Sequence, residues 1–164
     1  CLLAAPVMNA EGRCLVYLPE GEWFDWWTGE AQRGPRHLRL EAPLERMPLY
    51  VRNESILAMA PEMDYVGQRE WRPLTLEVRL ARAAEARVWN PKEPIGVEAK
   101  RGGRSVDLSI EGPEQKYELR FVEPRTVEGI AVEGQATLVS VEQAAGATVV
   151  RLTTRGPCRV RART

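Results

Sequence analysis

The chain has 164 residues, of which 44% are hydrophobic and 28% are charged, a balance typical of one or two globular domains. Basic and acidic residues number 23 each, so the chain has no cationic surplus with which to bind nucleic acid. No apolar run approaches the roughly 18 residues that a membrane-spanning helix needs, which argues against a membrane protein.

The first third of the chain predicts short strands separated by turn residues. The apolar and β-branched composition of each segment suits a pleated surface, and proline and glycine favour chain reversal between segments. The predicted strands are residues 2–7, 13–18, 22–27, 37–42, 49–52 and 55–59. The predicted turns are residues 19–21, 28–30 and 32–35.

Residues 22–27 carry three of the five tryptophans in the chain. Because side chains alternate along a strand, we expect Trp23 and Trp27 on one face of the sheet and Trp26 on the other. One interpretation is that the rings form a core, since large aromatics are mostly buried. The other is a platform that stacks against the apolar face of a sugar. In either case, at least one ring should meet a second layer, a neighbouring domain or a ligand.

Residues 60–72 contain Pro61, Asp64 and Gly67 and show no hydrophobic period, so they predict a domain boundary. We therefore expect a first domain at residues 1–66 and a second at residues 67–164. The second domain predicts further strands at residues 73–80, 86–89, 95–99, 105–110, 116–121, 126–132, 136–141, 147–152 and 158–162, with turns at residues 90–91 and 102–103. This rhythm indicates an all-β chain of two small antiparallel β-sandwich domains in tandem.

The residue types needed for catalysis or metal binding are scarce. The single histidine, His37, lies on the polar face of its predicted strand, so neither a metal site nor a nucleophilic triad is predicted. Asp25, Asp64 and Asp107 are interpreted as solvated surface groups, and no catalytic residue, metal or cofactor is predicted. The odd set of three cysteines favours reduced thiols and a cytoplasmic location.

The order and spacing of five blocks in the first 65 or so residues resemble the segment that follows the catalytic barrel in glycoside hydrolase family 31, the α-glucosidases and α-xylosidases. The blocks are Leu2-Leu3-Ala4-Ala5-Pro6-Val7, Tyr17-Leu18-Pro19-Glu20-Gly21-Glu22-Trp23, Trp27-Thr28-Gly29, Pro48-Leu49-Tyr50-Val51-Arg52 and Ser55-Ile56-Leu57.

The resemblance implies the C-terminal β-domains of such an enzyme without its (β/α)8 barrel. The parent enzyme would hydrolyse terminal α-linked glucose or xylose with retention, using two Asp residues of the barrel, and this chain alone would be inactive. Its partners would be the upstream barrel of the same polypeptide and the oligosaccharide substrate of the parent. The residues predicted to pack on the barrel or to stack on sugar are Trp23, Trp26, Trp27, Tyr50 and Arg52.

A carbohydrate-binding module that uses exposed Trp23, Trp26, Trp71 or Trp89 as stacking platforms is the alternative function. Two or more coplanar exposed rings in a groove would favour it, whereas buried rings would not.

Overall fold

A computed structural model describes residues 1–89, 93–122, 127–144 and 146–164. The described residues form strands without any helix, which confirms the all-β prediction. The strands are β1 Leu2–Ala4, β2 Arg13–Asp25, β3 Ala31–Glu41, β4 Leu49–Arg52, β5 Ser55–Met59, β6 Leu74–Arg79, β7 Ala83–Val88, β8 Ile95–Gly102, β9 Ser105–Glu111, β10 Gln115–Phe121, β11 Gly129–Ala144 and β12 Ala147–Arg163. Within these ranges, no helix has the length and apolarity to cross a membrane.

The strands belong to two compact units, which we call unit 1 (Cys1–Asn53) and unit 2 (Glu54–Thr164). The sequence placed the division after residue 66, whereas the units divide after Asn53. The reason is β5, which pairs antiparallel with β6 of unit 2 and not with β4. The link between β4 and β5 therefore joins the two units and does not close a hairpin.

Unit 1 is built on a four-stranded antiparallel sheet with the strand order β1-β4-β2-β3. One face of this sheet carries the core of the unit. The buried core side chains are Val16, Leu18, Trp23, Leu38 and Tyr50, and Leu3, Ala5, Cys14 and Leu40 pack against them.

The long hairpin of β2 and β3 contains a β-bulge where the sequence predicted a turn. Leu18 is opposite Arg36 and Gly21 is opposite Gly34, so β2 uses one more residue than β3 between the two pairs. That extra residue changes which side chains face inward, because strand side chains alternate with period two. Even-numbered residues before the bulge and Trp23 after it can therefore share one core. The predicted turn at residues 32–35 is likewise part of continuous β3.

Gly34 on β3 lies opposite the bulge and close to the backbone of β2. A Cβ atom added at Gly34 would lie 1.9 Å from the carbonyl oxygen of Pro19 and 2.8 Å from that of Leu18. Both contacts are with backbone atoms, which cannot rotate away. The position therefore requires glycine for the close approach of the bulged strand.

Unit 2 is built on an eight-stranded sheet in which β5-β6-β10-β12-β9-β8-β7 are neighbours and β11 pairs with β12. All its pairs are antiparallel except β6 with β10, which is parallel, so the prediction of purely antiparallel sheets is wrong at this pair. The terminal strands β5 and β7 lie close to each other, so this sheet curls towards closure. The two stacked sheets of a sandwich are thus not confirmed as predicted.

The longest strand, β12, forms the framework of unit 2. Residues 148–154 pair with β10 and residues 158–163 pair with β9, while β11 runs along the other edge of β12. Four predicted strands at residues 126–132, 136–141, 147–152 and 158–162 thus form only two long bent strands. The predicted breaks at residues 133–135 and 153–157 lie opposite each other at the register shift Gly134/Ala136, and a second shift at Leu138/Ser140 lies inside a predicted strand. Residue 126 and the predicted turn at 90–91 lie outside the described residues.

The core of unit 2 lies on the inner face of the curled sheet. Its largest fully buried side chains include Tyr117, Phe121, Leu108 and Leu152. Cys158 is buried in the same core as a free thiol. Burial raises the pKa of this thiol to about 11 and also raises the pKa of Tyr117.

The close approach at Gly34 predicts that Gly34→Ala destabilises unit 1 by at least about 2 kcal/mol, because overpacking against backbone forces the strands apart. Gly29→Asn is the matched control, since Gly29 has a φ of +74 with nothing within 4 Å, and asparagine tolerates this region. Urea unfolding followed by tryptophan fluorescence measures both free energies. Equal stabilities for the two variants would contradict the assignment.

The buried thiol predicts a loss of stability at alkaline pH. Because the folded state raises the pKa of Cys158 from 9.0 to about 11, its contribution is complete below pH 9 and is lost as the pH rises towards 11. We expect a loss of about 2 kcal/mol over that range. Cys158→Ala should be less stable at neutral pH but should lose less stability between about pH 8 and about pH 10.5 in urea unfolding. Parallel losses in the two proteins would contradict the effect.

Candidate functional site

The tryptophan segment of β2 ends at Asp25, and the side chain of this residue forms the turn that follows. Asp25 Oδ1 accepts hydrogen bonds of 2.8 Å from the backbone N–H groups of both Trp27 and Thr28, and the Asp25 carbonyl accepts one from Gly29 N. Such a side-chain bond to the following backbone is characteristic of an Asx turn. Trp26 and Trp27 therefore lie in a turn. The prediction that residues 22–27 form one alternating strand is wrong for these two residues.

Trp23 lies in the core of unit 1, where it is only 6% exposed. Its indole N–H donates a 2.9 Å hydrogen bond to the carbonyl oxygen of Pro19, so the ring spans the bulge. Arg52 is opposite Trp23 on β4, and its guanidinium carbon lies 5.8 Å from the ring centroid. Arg52 Nη2 also donates to the carbonyl oxygen of Glu20 at 3.3 Å. Together, Trp23 and Arg52 bind the two bulge carbonyl groups of Pro19 and Glu20.

Tyr50 lies in the same core and is almost completely buried. Burial raises the pKa of the Tyr50 phenol above its ordinary value, and the nearby Asp25, Cys14 and Glu30 raise this pKa further. The phenol therefore stays neutral at physiological pH. A neutral buried phenol is suited to packing and not to proton transfer.

The other two predicted residues of the site are more accessible. Trp26 is half-buried, and its backbone N–H donates to the Leu49 carbonyl oxygen at 2.9 Å. Trp27 is 46% exposed, and its indole N–H donates to the Met47 carbonyl oxygen at 2.8 Å. The structure thus brings together Trp23, Tyr50 and Arg52 around the bulge. It does not arrange the three tryptophans as a platform of exposed rings.

Each of the three Asp carboxylates contacts a neighbouring group of the fold, and each contact is of a different kind. Asp25 forms the turn described above, Asp64 accepts a 3.0 Å hydrogen bond from Gln68, and Asp107 forms an ion pair with Arg161 on the adjacent strand. Among the described residues, no group of three or more His, Cys, Asp or Glu side chains could hold a metal ion. These contacts explain the Asp side chains as structural groups.

The sequence analysis did not single out an apolar surface on the outer face of β2 and β3. Leu15 is 63% exposed and Tyr17 is 51% exposed, and both point away from the core that Val16 and Leu18 occupy. The Tyr17 ring lies 5.0 Å from the ring of His37 on β3, centroid to centroid. We call Leu15, Tyr17 and His37 the outer patch. The signal was present in the sequence, because Leu15 and Tyr17 alternate with residues that must face the core.

The burial of Trp23 predicts that Trp23→Ala destabilises unit 1 by about 3–5 kcal/mol, since both the ring contacts and the bond to Pro19 are lost. Trp27→Ala is the matched control and should cost about 1 kcal/mol, because half of that ring already contacts solvent. Urea unfolding followed by circular dichroism measures both. A larger loss for Trp27→Ala than for Trp23→Ala would contradict the assignment of Trp23 to the core.

Comparison with known proteins places these features in a family. Residues 1–57 match the family model described as "Glycosyl hydrolase family 31 C-terminal domain". The chain is 39% identical over 82 residues to an isomaltosyltransferase of Sporosarcina globispora, over 49% of this chain and 8% of that protein. It is 36% identical over 59 residues to α-glucosidase 2 of Bacillus thermoamyloliquefaciens, over 35% of this chain and 8% of that protein.

An α-xylosidase of Saccharolobus solfataricus is 34% identical over 64 residues, over 38% of this chain and 9% of that protein. The chain therefore spans less than a tenth of the length of these curated relatives through the matched regions.

The structural similarity to known proteins covers more of the chain than the residues matched by the family model. A dextranase of the same family from Flavobacterium johnsoniae superimposes with a TM-score of 0.85 at 16% identity, over 99% of this chain and 26% of that chain. At this identity the match shows the fold of both units and not a shared substrate. The match of residues 1–57 and the three relatives support a C-terminal fragment of a glycoside hydrolase family 31 enzyme.

Proposed function

We propose that this chain is the non-catalytic C-terminal region of an α-glycosidase, and that it packs on and supports the catalytic barrel of the same polypeptide. In this proposal units 1 and 2 act as the proximal and distal sandwich-type domains. The parent enzyme hydrolyses terminal α-linked glucose or xylose residues with retention. The family match and the small share of each relative that the chain covers support this assignment.

The observation that carries the proposal is the outer patch of unit 1. Large apolar side chains such as Leu15 and Tyr17 are normally removed from water, yet here they lie on the sheet face opposite the core. A neighbouring apolar surface of the barrel would bury them at about 25 cal/mol per Å² of apolar area.

The five residues predicted to pack on the barrel or to stack on sugar fall into two groups, buried and accessible. Trp23 and Tyr50 are core residues, so they shape the sheet that presents the outer patch and do not themselves contact the barrel. Trp26, Trp27 and Arg52 remain accessible enough to lie at the edge of such an interface.

A catalytic role for this chain alone is not part of the proposal. Retaining glycosidases need two carboxyl groups about 5–5.5 Å apart across a sugar-binding cleft. The three Asp side chains are instead bound in a turn, to Gln68 and to Arg161. We also propose a cytoplasmic location, because all three cysteines are free thiols.

One experiment with two arms tests the support function. The purified chain should not hydrolyse aryl α-glucosides or aryl α-xylosides, because it contributes no catalytic pair. In the longer polypeptide that contains the barrel, a Leu15→Lys/Tyr17→Lys double variant should lower the thermal midpoint by several degrees, since two charges would replace apolar contacts at the interface.

The isolated chain is the control for the second arm, because the same two substitutions lie on its surface and should change its stability by less than about 0.5 kcal/mol. Turnover by the purified chain would refute the non-catalytic assignment. An unchanged thermal midpoint of the longer polypeptide would refute the outer patch as the packing surface.

A further inference from the structure

The outer face of unit 2 carries an open groove on the side of the sheet away from the core. The groove has a volume of about 970 Å³ and crosses five neighbouring strands, β7, β8, β9, β12 and β11. Its floor is the reverse side of a row of core residues that includes Val97, Ile110 and Cys158. It therefore lies on a rigid sheet and not on loops.

The strand register places one row of polar side chains along this groove. Glu85 is opposite Glu98, Glu98 is opposite Ser109, Ser109 is opposite Arg159, and Arg159 is opposite Glu133. Residues directly opposite in an antiparallel pair point to the same face, so all five lie on the outer face. Neighbouring strands are about 4.8 Å apart, so acceptors and donors repeat at about that spacing.

An exposed tryptophan follows β7, the strand at one edge of the groove. Trp89 follows β7 and is 72% exposed, and the guanidinium carbon of Arg87 lies 5.6 Å from the centroid of its ring. Arg87 itself lines the groove. The cation–π contact therefore links the ring to a residue of the groove, while most of the ring stays exposed to solvent.

A glycine keeps the groove open next to Arg87. Gly96 is opposite both Arg87 and Glu111 on the outer face. A Cβ atom at Gly96 would meet only Glu111 Cβ, at an ordinary contact distance of 3.9 Å. The backbone there does not require glycine, so its missing side chain serves the shape of the surface.

From these observations we propose that this groove binds a neutral oligosaccharide, with α-linked glucose units as the preferred class. Carboxylates and a guanidinium repeating every 4.8 Å or so match the hydroxyl groups around successive pyranose rings, each about 5 Å across. The face of Trp89 offers the apolar surface on which a pyranose C–H face stacks. The excess of glutamates over arginines along the groove disfavours anionic ligands.

The choice of α-linked saccharides as ligands rests on the proposed function. The description of the groove and its polar row rests on the structure alone. Binding here would hold saccharide chains on unit 2. No tryptophan of unit 1 is among the described residues that line the groove, and those tryptophans do not form a stacking platform.

Titration of the chain with isomaltotriose and maltotriose, followed by calorimetry and by tryptophan fluorescence, tests the site. We expect dissociation constants in the millimolar range. Trp89→Ala should weaken binding by at least about tenfold, because the stacking contact is lost. Gly96→Val should weaken it by a similar factor by filling the groove, while its urea midpoint should stay unchanged because the new Cβ has room.

Trp27→Ala, which removes an exposed ring from unit 1, is the matched control and should leave the affinity unchanged. Absence of binding at about 50 mM of either trisaccharide would overturn the proposal, as that limit lies far above the expected constant. So would binding that survives both Trp89→Ala and Gly96→Val, or binding of pentalysine without binding of saccharide. Each of these outcomes leaves the support function of unit 1 unaffected, because that function is measured on the barrel-containing polypeptide.

Discussion

The constraint on which this structure depends is that a long strand must keep its apolar side chains on one face while it bends. In β2 the constraint is met by a single extra residue between Leu18 and Gly21. Without it, Trp23 would point to the face that Leu15 and Tyr17 occupy, because side chains alternate strictly along a strand. The bulge therefore decides both which side chains form the core of unit 1 and which apolar side chains remain exposed on its other face.

A register shift also lies in the longest hairpin of unit 2, formed by β11 and β12. The β11–β12 hairpin bends at Gly134, where a Cβ atom would lie 2.7 Å from the carbonyl oxygen of Pro157. Beyond this bend β12 leaves β10 and pairs with β9. One continuous strand thus joins the two halves of the curled sheet, and the outer groove forms across the half that contains β7, β8 and β9.

Much of the fold could be predicted from the sequence, since period-two alternation in segments such as residues 105–110 and 116–121 is a local property. The bulges could not be predicted in the same way. Pro19-Glu20-Gly21 and Gly34-Pro35 have the composition of turns, and only the strand lying opposite, which is distant in sequence, determines that they continue a hairpin. The end of β2 at Asp25 could be predicted, because Asp25 followed by Thr28-Gly29 is a turn signal. The three tryptophans in residues 22–27 favour a strand instead, and the strand prediction therefore ran two residues too far.

The position of β5 has a practical consequence for dividing this polypeptide. The family match ends at Leu57, in the middle of a strand whose hydrogen-bonded neighbour is β6 of unit 2. A piece cut at that boundary would carry Ile56 as an unpaired apolar tail and would leave β6 with an open edge, which invites association between chains. For expression of either part, the break therefore belongs between Asn53 and Glu54, where the hydrogen-bonded sheets of both parts stay whole.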